Sequence, residues 1–335
     1  MHSLPANAAS SSLSTSPHHR PQTRPRGDFS GLWIPLVTPF RHGAVDHVAL
    51  KALVRRLRDT GIAGFVVCGS TGEAASLDMH EQDAVLATGL AHAAGLPVVM
   101  GVCQSHLGHM LARVQGLGHQ PLAGLLVAAP PYIRPPQAGL LQWFRAIADA
   151  SAVPLIVYDI PYRTGVTLEL STLRDLSGHT NIRALKDCGG HLAKTQALIA
   201  DGALQVLAGD DHQAFTTAAL GGAGAIAASA HWNTAEWVAC LRSIAAGDLV
   251  PARRLWQEIA PWVDLFFSEP NPAPIKALLA VQGWMADELR APMIAASPAL
   301  VQRLQELQQL QQSHRPPQAS ADPSHGHPAA AATGD

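Results

Sequence analysis

The stretch 154-PLIVYD-159 places Leu155, Ile156, Val157 and Tyr158 in one apolar run with no polar residue alternating between them. A strand with one wet face would alternate, so such a run fits a strand buried on both faces, as in a parallel sheet. Seven more runs flank it: LWIPLV (32–37), GFVVC (64–68), PVVMGV (97–102), AGLLVAA (123–129), IRALK (182–186), LQVLAG (204–209) and GAIAAS (224–229). They recur about every 20 to 34 residues, with helical patterns between most of them. HVALKALVRRLRDTG (47–61) has apolar residues at helical intervals and a closing glycine. Eight such units predict an α/β fold, a (β/α)8 TIM barrel. A doubly wound open sheet would also alternate, but no GxGxxG follows the first run.

After the last run the pattern is purely helical: NTAEWVACLRSIAAG, VPARRLWQEIAPWVDLFFS, PAPIKALLAVQG and SPALVQRLQELQQLQ. These helices need a surface to pack on. The expected organisation is therefore a barrel over 29–231 and a C-terminal helical domain over 232–312, between disordered tails at 1–28 and 313–335. Both tails are rich in Ser, Pro, Ala and His and have too little apolar content for a core. The first lacks the apolar core of a secretory signal. The tail histidines His18, His19, His314, His325 and His327 fit solvated chain better than a metal site.

A net charge of −2 without a basic block argues against nucleic-acid partners. No apolar run is long enough to span a membrane, which takes roughly 18 residues or more. The four cysteines, Cys68, Cys103, Cys188 and Cys240, occur singly, as free thiols do in a reducing compartment, and a cytoplasmic location is expected.

Barrel chemistry gathers where strands end. Thr38, the turn Gly69-Ser70-Thr71-Gly72-Glu73, Pro130-Pro131-Tyr132, Tyr158, Lys186 and Gly209-Asp210-Asp211 all follow or close a run. Lys186 is unusual in a chain with four lysines and 19 arginines. An ammonium in a barrel mouth is disfavoured unless paired or neutralised, and desolvation lowers its pKa. An amine so tuned attacks carbonyl carbon to form a Schiff base. Tyr158 ends the neighbouring strand, where a phenol can pass protons to and from a carbinolamine. The GSTGE turn can hold a small carboxylate on its amides and hydroxyls; as a phosphate cradle it lacks the lysine and spacing of a P-loop. Arg163 offers bidentate capture of a second carboxylate, or serves as a structural ion-pair partner. Tyr132 and Tyr162 fit either the rim chemistry or loop packing.

GSTGEAASL (69–77), PPYIRP (130–135), YDIPYRTG (158–165), ALKD (184–187), AGDD (208–211) and EPNPAPIK (269–276), in this order, carry a resemblance. From about residue 30 to 305 the chain resembles the dihydrodipicolinate synthase/N-acetylneuraminate lyase family of lysine-dependent pyruvate aldolases. The resemblance implies the barrel with a C-terminal helical domain, assembled as a homo-oligomer, usually a tetramer, with a dimer as the alternative. It implies Lys186 as the Schiff-base lysine, Tyr158 as general acid/base, and Ser70 where the synthases usually carry a proton-relaying threonine. Tyr132 matches a tyrosine that a neighbouring subunit inserts. Thr71, with backbone groups near Gly209 and Ile226, would hold the pyruvate carboxylate, and Arg163 the carboxylate of L-aspartate 4-semialdehyde. RTG and EPNPAPIK resemble the synthase branch, whose product is 4-hydroxy-tetrahydrodipicolinate in lysine biosynthesis. No metal or organic cofactor is implied, because the protonated imine is the electron sink.

Departures leave room for a paralogue acting on another aldehyde or sugar acid, or for a non-catalytic keto-acid binder. GVCQSH (101–106) replaces a GTGSN-like turn and Pro131 replaces a tyrosine. Met79, Gln82, Ser105 and His109 stand where lysine-inhibited synthases carry inhibitor ligands, so insensitivity to lysine is expected.

Overall fold

The computed structural model describes residues 27–314. The expected tails lie outside these residues except for Gly27, Asp28, Ser313 and His314, the last two ending a helix. Eight parallel strands close into a barrel in sequence order. They are β1 (Gly31–Pro35), β2 (Gly64–Val67), β3 (Val98–Val102) and β4 (Gly124–Ala128). The circle continues through β5 (Leu155–Asp159), β6 (Ile182–Asp187), β7 (Gln205–Ala208) and β8 (Gly224–Ile226). Trp33 pairing with Ile226 is part of the closing ladder between β1 and β8. The barrel expected from the apolar runs is borne out. Only the last strand is markedly shorter than its run, because the amides of Ala228 and Ser229 turn to the Asp211 carboxylate at 3.3 and 2.7 Å.

The unbroken runs follow from burial on two sides. In β5, Leu155 and Val157 point outward into the core beneath the helices. Ile156 and Tyr158 point inward and pack with Trp33, Val66, Val99, Leu126, Leu207 and Ile226. Side-chain direction alternates while polarity does not, so the sequence hides the period.

One irregularity sets the site. Leu155 pairs with Ile182, but Ile156 pairs with Ala184, so exposed Arg183 is skipped in the β5–β6 ladder. Beyond the skip Tyr158 faces Lys186, and Asp159 faces Asp187. A slip of one residue reverses every side chain beyond it, and this bulge keeps Lys186 on the inner face beside Tyr158.

The helices that follow the strands are α1 (His47–Arg58), α2 (Met79–His92), α3 (Leu107–Gly116), α4 (Gln137–Ala150), α5 (Leu170–Ser177), α6 (Leu192–Asp201), α7 (Ala214–Ala219) and α8 (Thr234–Ala245). α1 starts at Asp46, whose carboxylate accepts from the amides of Val48 and Ala49 at 3.1 and 2.9 Å. α2 starts with a reciprocal box between Asp78 and Glu81. Trp237, Cys240 and Leu241 of α8 belong to the same core as β1 and α1, so the boundary expected at 231/232 falls just ahead of a helix packed on the barrel.

Three more helices follow: α9 (Leu249–Phe266), α10 (Ala273–Val281) and α11 (Pro298–His314). Trp262, Phe266, Leu278, Leu279, Leu300 and Leu304 form a second core that closes on Val37, Ala49 and Leu53 of the barrel. This layer reaches the strand ends, and its segment Asn271–Pro272 enters the site described next. Among the described residues no helix is long and apolar enough to cross a membrane.

Candidate active site

Lys186 is the next-to-last residue of β6, its side chain lies inside the barrel, and it is 4% exposed. Its ammonium lies 4.4 Å from the centre of the Tyr158 ring. Among the described residues no carboxylate reaches it at ion-pair distance. Burial holds its pKa below the ordinary 10.5, Arg163 pushes the same way, and Asp211 and Cys188 partly oppose this. The amine thus gives up its proton more readily than a solvated lysine.

Burial also raises the Tyr158 phenol well above 10, so it keeps its proton and is poised as an acid. Its oxygen lies 3.5 Å from Ser70 Oγ, at the outer limit of a hydrogen bond, and 4.0 Å from Cys188 Sγ. Burial lifts the Cys188 thiol to about 12, which keeps it neutral beside the amine.

Ser70 and Thr71 sit on the turn after β2. That turn is held by Gly72 and Ala74 amides donating to Gly69 O, and by Glu73 in a left-handed conformation. Thr71 is buried, and its Oγ1 accepts from Asn271 Nδ2 at 3.0 Å. Gly209 must be glycine: a Cβ there would lie 2.6 Å from Lys186 Cγ and 2.6 Å from Cys188 Sγ. Its amide donates to Asp187 O at 2.8 Å. Ile226 is fully buried in the inner core below the mouth.

A cavity of about 360 Å³ opens beside Ser70 and Tyr158. Ser70, Tyr158, Arg163 and Asn271 give its wall polar atoms, while Val102, Ile160 and Met293 represent its larger apolar part. Arg163 also lies over the Tyr162 ring, 5.6 Å from its centre. Lys186, Tyr158, Ser70 and Gly209 are therefore clustered, Thr71 adjoins Ser70 on the same turn, and Arg163 lines the cavity together with Ser70 and Tyr158. Tyr132 stands apart, 96% exposed, on a turn where it adopts φ +75°. A bulky residue pays strain for that conformation.

Asn271, Cys188 and Met293 were not singled out as site residues from the sequence, and Asp211 was noted only for its place after a strand. Asn271 lies 200 positions from Thr71. The Asn-Pro pair inside EPNPAPIK was the only local signal, and it names no partner. Asp211 accepts from Ser229 Oγ at 2.6 Å and braces the β7 and β8 ends against each other.

Residues 28–311 match the model of the dihydrodipicolinate synthetase family. The chain belongs to that family. A family member from Clostridium acetobutylicum, 4-hydroxy-tetrahydrodipicolinate synthase 2, is 35% identical over 278 residues, 82% of this chain and 97% of its own length. The crystal structure of the Aquifex aeolicus dihydrodipicolinate synthase superposes with a TM-score of 0.82 at 29% identity, covering 85% of this chain and 98% of that one. A chloride-inhibited family member from Acinetobacter baumannii, solved with pyruvate, gives a TM-score of 0.81 at 30% identity over 84% of this chain and 98% of its own. The expected family resemblance is borne out along the full barrel and C-terminal layer.

Proposed function

We propose that this protein condenses pyruvate with L-aspartate 4-semialdehyde to 4-hydroxy-tetrahydrodipicolinate, acting as a lyase in lysine biosynthesis in the cytoplasm. The observation that carries this reading is the uncompensated amine of Lys186, buried against the Tyr158 ring. Thr71 binds the pyruvate carboxylate, with Gly209 and Ile226 lining the same half of the site. Neutral Lys186 adds to the keto carbon, and Tyr158 protonates the departing hydroxyl as water leaves the carbinolamine. Tyr158, left as phenolate by that transfer, takes a methyl proton from the protonated imine to give an enamine, which attacks the aldehyde carbon. Arg163 holds the aldehyde's carboxylate, and transimination followed by cyclisation releases product and free Lys186. Ser70 hands protons to and from Tyr158.

Tyr132 completes this relay from a second copy of the chain, so the working form is a homo-oligomer. Its full exposure on a strained turn supports this, since a solvated tyrosine contributes nothing to its own subunit's core. Lysine does not inhibit: Gln82 spends its amide on Ala74 O and Leu77 O, and Met79 offers no polar atom but its thioether.

One observation favours a second reading of the aldehyde. The cavity wall carries mostly apolar residues around Arg163, which suits a less polar aldehyde joined to the same pyruvate half-site. Borohydride reduction with pyruvate, then mass spectrometry, with and without L-aspartate 4-semialdehyde, separates the readings. A reduced adduct on Lys186 with rapid turnover of that aldehyde supports the synthase reaction. An adduct without turnover moves the reading to another aldehyde, and no adduct overturns both.

A further inference from the structure

The C-terminal layer is tied through Lys276 to the GSTGE turn and to Thr38, which is itself bonded to that turn. Lys276 Nζ of α10 donates to Glu73 Oε1 at 2.6 Å and to Thr38 O at 2.9 Å, while Thr38 Oγ1 donates to Gly72 O at 2.7 Å. This clamp fixes the start of α10 relative to the turn. Asn271 lies two residues before α10 and lines the cavity, and its Nδ2 donates to Thr71 Oγ1 at 3.0 Å.

The direction of that bond has a consequence. A threonine hydroxyl has one proton and two lone pairs. With an amide N–H occupying one lone pair, the hydroxyl proton is turned away from Asn271 and is free to donate elsewhere. The other end of the same amide, Asn271 Oδ1, is buried without a hydrogen-bond partner among the described residues. An unpartnered acceptor weakens a fold, so stability alone does not account for asparagine at this position.

We propose that Asn271 is a positioning residue for keto-acid binding, orienting the Thr71 hydroxyl so that its proton meets the substrate carboxylate. The inference rests on the reading that Thr71 binds pyruvate. Binding thereby depends on a residue from the helical layer as well as on the barrel. The layer sets substrate affinity, whereas the Lys186–Tyr158 pair sets the chemistry.

The test is a pyruvate titration of borohydride trapping on Lys186 in the full-length protein, with turnover measured in parallel. Asn271→Ala is expected to raise the half-trapping concentration about tenfold, the size of one hydrogen bond to a charged group, with a far smaller change in kcat. In a Thr71→Val background the same substitution is expected to change nothing further. Asn271→Asp keeps the size but accepts from Thr71 and adds negative charge, so it should weaken trapping more than alanine does. It also serves if the alanine variant folds poorly. An equal effect of Asn271→Ala in both backgrounds, or wild-type affinity in Asn271→Asp, overturns the proposal. Wild-type protein that traps no pyruvate overturns the parent reading as well, which keeps the two failures distinct.

Discussion

Lys186 and Lys276 are both buried near the strand ends, 4% and 0% exposed, yet their surroundings are opposite. Lys276 has Glu73 at 2.6 Å and a backbone carbonyl at 2.9 Å, and its ammonium lies 4.3 Å from the Phe40 ring centre. Burial lowers its pKa, but the Glu73 charge and hydrogen bond pull it back. Lys186 has an aromatic face and, among the described residues, no carboxylate at ion-pair distance. Lys194 falls with Lys276, paired to Asp159 at 2.5 Å. A buried cation with a full set of partners is structural, and one left without a counter-charge is held ready to lose its proton.

The largest effect is expected at Lys186. Lys186→Met should abolish pyruvate trapping and turnover while leaving the urea midpoint unchanged or higher, because the lost ammonium had no counter-charge. A large loss of stability would show that the site holds the fold as well. Tyr158→Phe comes next, lowering kcat by about 10²–10⁴ through loss of the acid, with normal melting. An unchanged kcat would assign the proton transfers elsewhere.

Lys276→Met should reverse the pattern seen at Lys186. It strands the Glu73 carboxylate in the interior and should destabilise the protein by about 3–5 kcal/mol in urea unfolding, with partial recovery on adding Glu73→Gln. No loss would mean that the pair contributes nothing.

The smallest effect is one of pH. Because the folded pKa of Lys186 lies below 10.5, its neutral fraction, and with it the trapping rate, rises through a limb centred below that value. Between the folded pKa and 10.5 the unfolded chain binds more protons at this residue, so Lys186 makes stability rise with pH there. Below that interval the burial penalty is fully present, and above it the penalty is gone. A Lys186→Met variant should lose this part of the rise, measured as urea midpoint against pH.

Much of the molecule was legible in the chain. Eight apolar runs were enough for the barrel, because a strand covered on both faces leaves an unbroken apolar record. Lys186 stood out because a scarce cation closed such a run. The β5–β6 bulge was not legible, since nothing in IRALKD says which residue its neighbour strand skips. Nor was the pairing of Thr71 with Asn271, which depends on α10 being clamped across the strand ends by Lys276 and Glu73.

The alternation of strand and helix, the reactive groups at the strand ends and the family to which they belong can be read from the chain alone, because these follow from local pattern and residue chemistry. Which buried lysine has a counter-charge emerges only once the chain is folded. Burial and charge pairing are properties of distant segments brought together, and Glu73 and Lys276 lie 203 positions apart in the chain.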